Sequence, residues 1–258
     1  MSLRSFVVSK LLKRSPRVYA ALLRLTERPD EPECALAPYL CDRDKLALDV
    51  GSNIGLYTRA MVGHAGAVHA FDPNQPLADL IARRFPKAKS YNVALSDRCG
   101  TSILRFPEGS FSVATIERAN PLPTNGRKLV EMTVQVRTLD SYAFHNVGFV
   151  KIDVEGHEEA VLRGAAETIR LSSPHLLIEI EERHNRGGVA RVREWLGAFG
   201  YSGYFLNDKE LTPINQFDPH IHQRWGGKAP YVNNFLFLHS SRTGAFRAKL
   251  AGTQFRFA

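Results

Sequence analysis

The chain has 258 residues, of which 44% are apolar, and it carries a formal net charge of +8. This length suffices for the core of one α/β domain, and no apolar stretch reaches the roughly 18–20 residues of a membrane-spanning helix. Residues 1–28 hold a net charge of +6 and residues 240–258 one of +4, which leaves −2 for the middle of the chain. A nucleic-acid groove in that middle region is therefore disfavoured.

The chain begins with a basic extension, predicted to span residues 1–45. Apolar residues recur at helical spacing on both sides of Pro16, which predicts two short amphipathic helices before residue 28. Three prolines between residues 29 and 38 then indicate a linker. The basic helices could cover the sheet or make a peripheral contact with an anionic membrane.

The cysteines Cys34, Cys41 and Cys99 lack the paired spacing of a zinc site or of a disulfide framework. We therefore expect no metal ion and a reducing, cytoplasmic compartment, with any membrane contact at the inner surface. An Arg-rich, acid-free start is also typical of a mitochondrial transit peptide, but a basic helix is the commoner explanation.

Strands and helices alternate between residues 46 and 239, so this region is predicted to form the main domain. The alternation implies right-handed crossovers and a doubly wound, mostly parallel sheet with helices on both faces. A hairpin of strands 101–106 and 130–137 interrupts the pattern, and residues 240–258 are expected to form a basic tail. The other predicted strands are Leu46–Val50, Ala67–Phe71, Ala88–Leu95, Phe149–Val154, His175–Ile180, Tyr201–Leu206 and Val232–His239, and the predicted helices are 54–63, 75–85, 157–170 and 188–199.

The first strand ends in the segment Asp49-Val-Gly51-Ser-Asn53-Ile-Gly55. Glycines here allow a tight turn and close approach of a ligand, and the following helix N-terminus suits a carboxylate. A dinucleotide site would read G-x-G-x-x-G and hold a pyrophosphate, whereas this turn lacks one glycine and adds an acid. The acid can face an ammonium group, so the turn favours the amino acid part of S-adenosylmethionine (SAM). These four residues are predicted to bind that cofactor.

The next two strand ends would complete the cofactor site. Asp72 ends the second strand 23 positions after Asp49, where a carboxylate can accept both hydroxyls of a ribose. Its alternative role is to cap the helix that begins at Pro73. Asn92, near the end of the third strand, is predicted to lie beside the adenine.

The fourth strand ends in Lys151-Ile-Asp153-Val-Glu155-Gly-His157-Glu, where two carboxylates and an imidazole cluster. Ligands of open α/β sheets bind at this edge. Methyl transfer to an alcohol needs removal of the hydroxyl proton as charge develops. Asp153, Glu155 and His157 are therefore the predicted catalytic residues, and Asp153 is also a predicted cofactor ligand. Alternatively, the same side chains have a structural role, in which they cap the following helix or face the solvent at its first turn.

The acceptor is expected to meet the residues that follow the fifth strand. Glu179 interrupts an apolar run and needs a partner, which is either the acceptor or an arginine. His220, His222 and Trp225 lie in a long polar loop, and long loops in compact domains are often functional. We predict that these four residues contact the substrate and that the segments 107–127 and 207–231 select it.

The motifs at 49–55, 71–74, 138–140, 150–158 and 177–179 together resemble, in order and spacing, the FkbM family of O-methyltransferases. The resemblance covers residues 46–182, and Lys-Ile-Asp-Val-Glu-Gly-His-Glu is its most specific element. It implies a Rossmann-like sheet of seven strands with the last strand antiparallel. It also implies SAM-dependent methylation of a hydroxyl on a sugar, glycolipid, polysaccharide or polyketide-type small molecule.

Two other functions remain open from the sequence alone. An NAD-dependent Rossmann oxidoreductase would use the same turn, although the missing glycine and the added acid disfavour it. A catalytically silent SAM-binding protein would keep the fold without the reaction, since fold does not guarantee activity. Measured turnover of SAM separates these hypotheses.

Overall fold

The computed structural model of the protein describes residues 31–227 and 229–258. The two amphipathic helices predicted before residue 28 lie outside the described residues. None of the helices in the described part of the chain is long and apolar enough to cross a membrane.

The described residues form a large sheet, a small sheet and helices that cover both faces. The large sheet contains β1 Leu46–Val50, β2 Ala67–Phe71, β3 Ala88–Tyr91, β7 Val147–Ile152, β8 His175–Glu179, β9 Tyr201–Asn207, β10 Glu210–Pro213, β11 Asn234–His239 and β12 Arg256–Phe257. The small sheet contains β4 Ala94–Leu95, β5 Gly100–Pro107 and β6 Leu129–Arg137. The α-helices are α1 Ala37–Leu40, α2 Leu56–Met61, α3 Gln75–Arg84, α4 Glu158–Arg163, α5 Ala166–Ser172, α6 Gly188–Ala198, α7 Pro219–His222 and α8 Ser240–Leu250.

The large sheet has the strand order β12-β10-β9-β11-β8-β7-β1-β2-β3. Strands β3, β2, β1, β7 and β8 run parallel, and β11 lies antiparallel between β8 and β9. The predicted doubly wound fold with an antiparallel last core strand is thus confirmed. Two short strands, β10 and β12, extend the seven core strands at one edge, so the sheet is wider than predicted.

The core lies on both faces of the central strands, because every residue of β7 is buried. Alternate side chains of a strand point to opposite faces. Leu48 and Val150 accordingly belong to one apolar cluster, and Ala47 and Phe149 to the other. The carboxyl ends of the strands remain free of the covering helices, so a site can form there.

Two predicted elements are each divided into two in the structure, at points where distant segments of the chain pack against each other. The strand predicted at 88–95 divides, and its second part, β4, pairs with β6 of the small sheet. The helix predicted at 157–170 divides between α4 and α5. Gly164 lies at this break, where a Cβ would come 1.9 Å from the carbonyl oxygen of Ser96. Glycine at this position lets the helix pair pack against the end of β4.

The segments on either side of the predicted domain also pack on the sheet. The chain forms a 3-10 turn at Pro32–Leu36, followed by α1, where an irregular linker was expected. The predicted basic tail instead forms α8, with Phe246 and Leu250 buried, and β12. Asp42 joins the two segments, at 2.6 Å from Arg242 and 2.5 Å from Lys249. The compact unit therefore extends beyond the predicted limits of 46–239.

Candidate active site

The carboxyl ends of β1, β2 and β7 open into a cleft. Apolar side chains such as Phe71, Val93, Leu95 and Leu104 form part of its wall. The polar residues in its lining include Gly51, Asn53, Asp72, Asp153, Glu155 and His157, all of which the sequence predicted as site residues. We call this cavity the first cleft.

Gly51 sets the close approach of β1 and β7 at the mouth of the first cleft. It adopts a left-handed φ of +80°, and a Cβ there would lie 1.7 Å from the carbonyl oxygen of Asp153. Its N–H also donates to the carbonyl oxygen of Phe71, at 2.9 Å. Only glycine fits this position, because any side chain would collide with the backbone of the next strand.

Asp72 is a buried carboxylate in the wall of the first cleft. Its Oδ2 accepts the backbone N–H of Asn53 at 2.9 Å, and its Oδ1 that of Asn74 at 2.8 Å. Burial raises the pKa of Asp72 to about 7, although the two backbone N–H groups oppose this shift. Each oxygen retains a second lone pair, so the side chain can both fix the glycine turn and accept a ligand hydroxyl.

Glu155 carries a carboxyl group that is poorly neutralised. Its φ of 55° is left-handed, and its buried Oε2 has no hydrogen-bond partner among the described residues, with His184 Nε2 at 3.5 Å. Burial, followed by the nearby charges of Asp153 and Glu181, raises the pKa of Glu155 to about 9. Burial and Asp153 likewise raise the pKa of Glu179, which shares a hydrogen bond with Asp153. The site thus holds more carboxyl groups than it can ionise at neutral pH.

Lys151 is the buried cation behind these carboxyl groups, and it is not among the site residues that the sequence predicts. It is fully buried, its Nζ donates to Asn234 Oδ1 at 2.8 Å, and it lies 4.8 Å from the centre of the Tyr57 ring. Burial opposes its charge, but Asp153 and Glu179 outweigh that effect and raise its pKa. A lysine inside an apolar strand is itself a signal of such a pairing.

His157 is held through both ring nitrogens. Nε2 lies 2.8 Å from Ser96 Oγ, and Nδ1 lies 3.0 Å from Glu117 Oε2. Partial burial works against ionisation of Glu117, but the hydrogen bond from His157 prevails and lowers its pKa. A carboxylate only accepts hydrogen bonds, so this contact places a proton on Nδ1. In the neutral ring, Nε2 is then the nitrogen that can accept a proton.

A second cleft, larger than the first and open to solvent, lies beside it. It is rich in polar groups, including hydroxyls from Ser96, Thr101 and Ser102. His157 and Ile116 line both clefts. A group bound in either cleft would therefore meet His157 at the common wall.

The segment between β5 and β6 covers this common wall. Thr115 Oγ1 and Asn120 Nδ2 donate to the carbonyl oxygen of Glu155, at 2.8 Å and 2.7 Å. The segment is predicted to select the acceptor, but no pattern in the sequence singles out Thr115, Glu117 or Asn120. These contacts join residues 35 to 40 positions apart, so no local pattern reveals them.

Four predicted cofactor or substrate residues near the strand ends line neither cleft. Asp49 is buried and accepts the hydroxyl of Thr58 at 2.5 Å, where it faces α2. A Cβ at Gly55 would meet the ring of Phe85 at 2.5 Å, so this glycine serves helix packing. Asn92 is exposed and donates to the backbone oxygen of Asp72 at 3.1 Å. Glu179 faces Asp153 and Lys151.

The loop residues predicted to contact the substrate also lie away from both clefts. His222 stacks on Phe217, and His220 is exposed on the short helix α7. Trp225 is 75% exposed and stacks on Tyr231, at 4.7 Å between ring centres. Aromatic packing within the loop accounts for His222 and Trp225.

The chain was compared with known families and structures. A family model described as the Methyltransferase FkbM domain matches residues 49–202. The hexuronic acid methyltransferase AglP of Haloferax volcanii is 31% identical over 149 residues, which cover 54% of this chain and 57% of that protein. The crystal structure of methyltransferase FkbM from Methylobacillus flagellatus KT is 14% identical, with a TM-score of 0.51 over 90% of this chain and 58% of that chain.

The match thus spans little more than half the length of each of these two proteins. The family model nevertheless covers more than half of the present chain, including the glycine turn and the whole of β7. The chain belongs to the FkbM family of methyltransferases.

Proposed function

We propose that the protein transfers a methyl group from SAM to a hydroxyl group of a sugar-type small molecule. The observation that carries this proposal is the position of His157, in the common wall of two clefts that differ in character. The first cleft offers apolar walls and carboxyl groups, and the second offers hydroxyls and arginines. The family membership supports methyl transfer, and the sugar substrate of the relative from Haloferax volcanii supports the acceptor class.

The residues of the first cleft fit SAM chemically. The free lone pairs of Asp72 suit the two ribose hydroxyls, and Phe71, Val93 and Leu95 offer an apolar wall for the adenine. The carboxyl of Glu155, whose Oε2 accepts no hydrogen bond from the described residues, suits the ammonium group together with Asp153 beside it. When bound, SAM supplies a methyl group activated by its positive sulfur.

His157 would serve as the general base. Glu117 keeps the proton on Nδ1, so Nε2 can take the proton that the acceptor hydroxyl loses in the transition state. Ser96 Oγ contacts Nε2 in the structure. The acceptor hydroxyl would either displace the Ser96 hydroxyl or pass its proton to Nε2 through that hydroxyl. Such a positioned base contributes roughly 10²- to 10⁴-fold in rate.

The proposal is tested by incubating the protein with methyl-labelled SAM and a panel of saccharides, followed by product analysis. Label in an O-methyl ether of a sugar is the expected result. Label that remains entirely in SAM, or that appears on nitrogen or carbon of the acceptor, contradicts the proposal.

A further inference from the structure

The second cleft carries arginines that the reaction itself does not require. Arg98, Arg118, Arg163 and Arg191 all line it. Arg191 is neutralised by Glu159, with its Nε and Nη2 at 3.0 Å and 2.8 Å from one carboxylate oxygen. The other three arginines have fewer carboxylate partners.

Arg98 and Arg163 both rely on a single carboxylate. Their contacts to Asp97 measure 3.3 Å and 3.4 Å, and their side chains are 73% and 52% exposed. Each guanidinium has five N–H donors, and each of these contacts uses one of them. The side chain of Arg118 is exposed, and its guanidinium makes no hydrogen bond or ion pair with any residue that the structure describes. Arg98, Arg163 and Arg118 thus exceed Asp97 by two positive charges, with N–H groups left to bind an anion.

These arginines lie next to the partners of His157. Ser96 contacts His157 and is followed by Asp97 and Arg98, while Glu117 contacts His157 and is followed by Arg118. An anionic group held by the arginines would therefore lie close to the proposed base, with the hydroxyls of Ser96, Thr101 and Ser102 around the remainder of the molecule.

We infer that the second cleft binds an acceptor sugar that carries an anionic substituent, a carboxylate or a phosphate, which Arg98, Arg118 and Arg163 recognise. The inference rests on the proposed function, because it assigns the acceptor to the cleft beside His157. A nucleic-acid strand is a poorer fit. With Arg191 and the acids Asp97, Glu117 and Glu159 included, the cleft has a net charge of only +1, and polyanion binding depends on many phosphate contacts.

A matched pair of probes tests the inference: methyl β-D-glucuronide and methyl β-D-glucoside, which differ only in the carboxylate. Binding of each is measured by ligand-observed NMR with the protein saturated with S-adenosylhomocysteine (SAH), and turnover is measured as SAH release from SAM. Wild-type protein is expected to prefer the glucuronide by about 10-fold or more, the usual gain from charge-assisted hydrogen bonds. Glucose 6-phosphate, in a third arm, shows whether a phosphate serves better than a carboxylate.

Variants test whether the second cleft causes the preference for the glucuronide. Arg118→Gln and Arg98→Gln are expected to lower the affinity for the glucuronide by about 10-fold and to leave that for the glucoside unchanged. Arg83→Gln, at an exposed position on α3 outside both clefts, is the matched control and keeps the preference. Added sodium chloride should weaken only the anionic probes.

Equal binding of the two glycosides, binding of neither, or preferred methylation of a single-stranded oligoribonucleotide overturns the inference. If SAH binds and a neutral sugar is methylated equally well, the proposed function survives and only the anion specificity fails. If SAH does not bind, the proposed function fails, and the glycoside preference is then read from the NMR titration of the protein alone.

Discussion

Nδ1 of His157 lies 3.0 Å from Oε2 of Glu117, a residue 40 positions away on the segment that covers the site. Glu117→Gln replaces a carboxylate, which only accepts hydrogen bonds, by an uncharged amide that can accept or donate, so the proton is no longer held on Nδ1 and the imidazole loses its fixed tautomer. We expect kcat to fall by about 10²-fold, with the affinity for SAH within a factor of two of wild type. Steady-state kinetics and calorimetry measure the two effects separately.

Glu117→Asp is expected to recover part of the lost kcat, because it restores the carboxylate. Glu108→Gln, an exposed site on the same hairpin, is the control and should match wild type. Equal kcat for Glu117→Gln and wild type shows that the contact is only structural.

His157→Gln keeps the size of the side chain and removes the ionisable ring. The expected kcat is 10²- to 10⁴-fold below wild type, with SAH affinity nearly unchanged, since the cofactor has other contacts in the first cleft. If Asp153→Asn or Glu155→Gln causes this loss and His157→Gln does not, the base is one of those carboxylates.

The stability of the protein should depend on the protonation of Glu155. Burial raises its pKa in the folded protein to about 9 from the ordinary value of 4.5, so the folded state keeps a proton that the unfolded chain loses. The stabilisation is fully present below pH 4.5 and is lost as pH rises to about 9. In Glu155→Gln this loss is absent. The free energy of unfolding of the variant therefore rises relative to that of wild type by up to about 1.4 kcal/mol per pH unit in that window.

Urea denaturation at pH 5, 7 and 9 measures this difference. Glu194→Gln, an exposed site on α6, serves as the control and should follow the wild-type curve. Parallel pH curves for Glu155→Gln and wild type mean that the carboxyl group is better solvated than its burial indicates.

Gly51→Ala places a Cβ at 1.7 Å from the carbonyl oxygen of Asp153, in a left-handed conformation. Gly63 has a similar φ of +95° but open space around a built Cβ, which makes it a matched control. Gly63→Ala should cost about 1–2 kcal/mol for the backbone alone. Gly51→Ala should cost about 1–3 kcal/mol more, because β1 and β7 must separate. Similar losses in both variants disprove the close packing at Gly51.

Lys151→Met leaves Asp153 and Glu179 buried without their cation. We expect a loss of about 3–5 kcal/mol in the free energy of unfolding at neutral pH, and a smaller loss at lower pH, because protonation of the two carboxyl groups removes the uncompensated charge. Lys89→Met, at an exposed position on β3, is the control. A loss that does not depend on pH argues that packing of the lysine stem, and not its charge, is what matters.

The sequence predicted those parts of the site that follow from strand ends. Gly51, Asp72 and Asp153 come directly after β1, β2 and β7, and parallel strands bring such positions to one edge. His157 follows Asp153 by four positions and lies at the same edge. Glu117 and Ser96 were missed because an irregular segment and a strand break bring them to His157. Asp49 was assigned to the cofactor because an acid at a strand end was taken to face the ligand, whereas Thr58 satisfies it.

The loop with His220, His222 and Trp225 shows a second limit of prediction from sequence. Its polar and aromatic composition is typical of a binding loop, but aromatic residues also stack on each other, as Trp225 does on Tyr231. Composition does not distinguish these two uses. Lys151, in contrast, could have been recognised, because a charged residue within an apolar strand requires buried partners.

The central claim, that the first cleft binds SAM through Asp72, is tested most directly by a calorimetric titration of SAH into wild type, Asp72→Ala and Asp79→Ala. Asp79 is exposed on α3 and serves as the control. We predict saturable binding at one site in wild type and in Asp79→Ala, and an affinity for Asp72→Ala weaker by about 1–3 kcal/mol, the usual cost of a lost buried polar contact. Binding of NAD without binding of SAH, or equal SAH affinity in all three proteins, would contradict the claim.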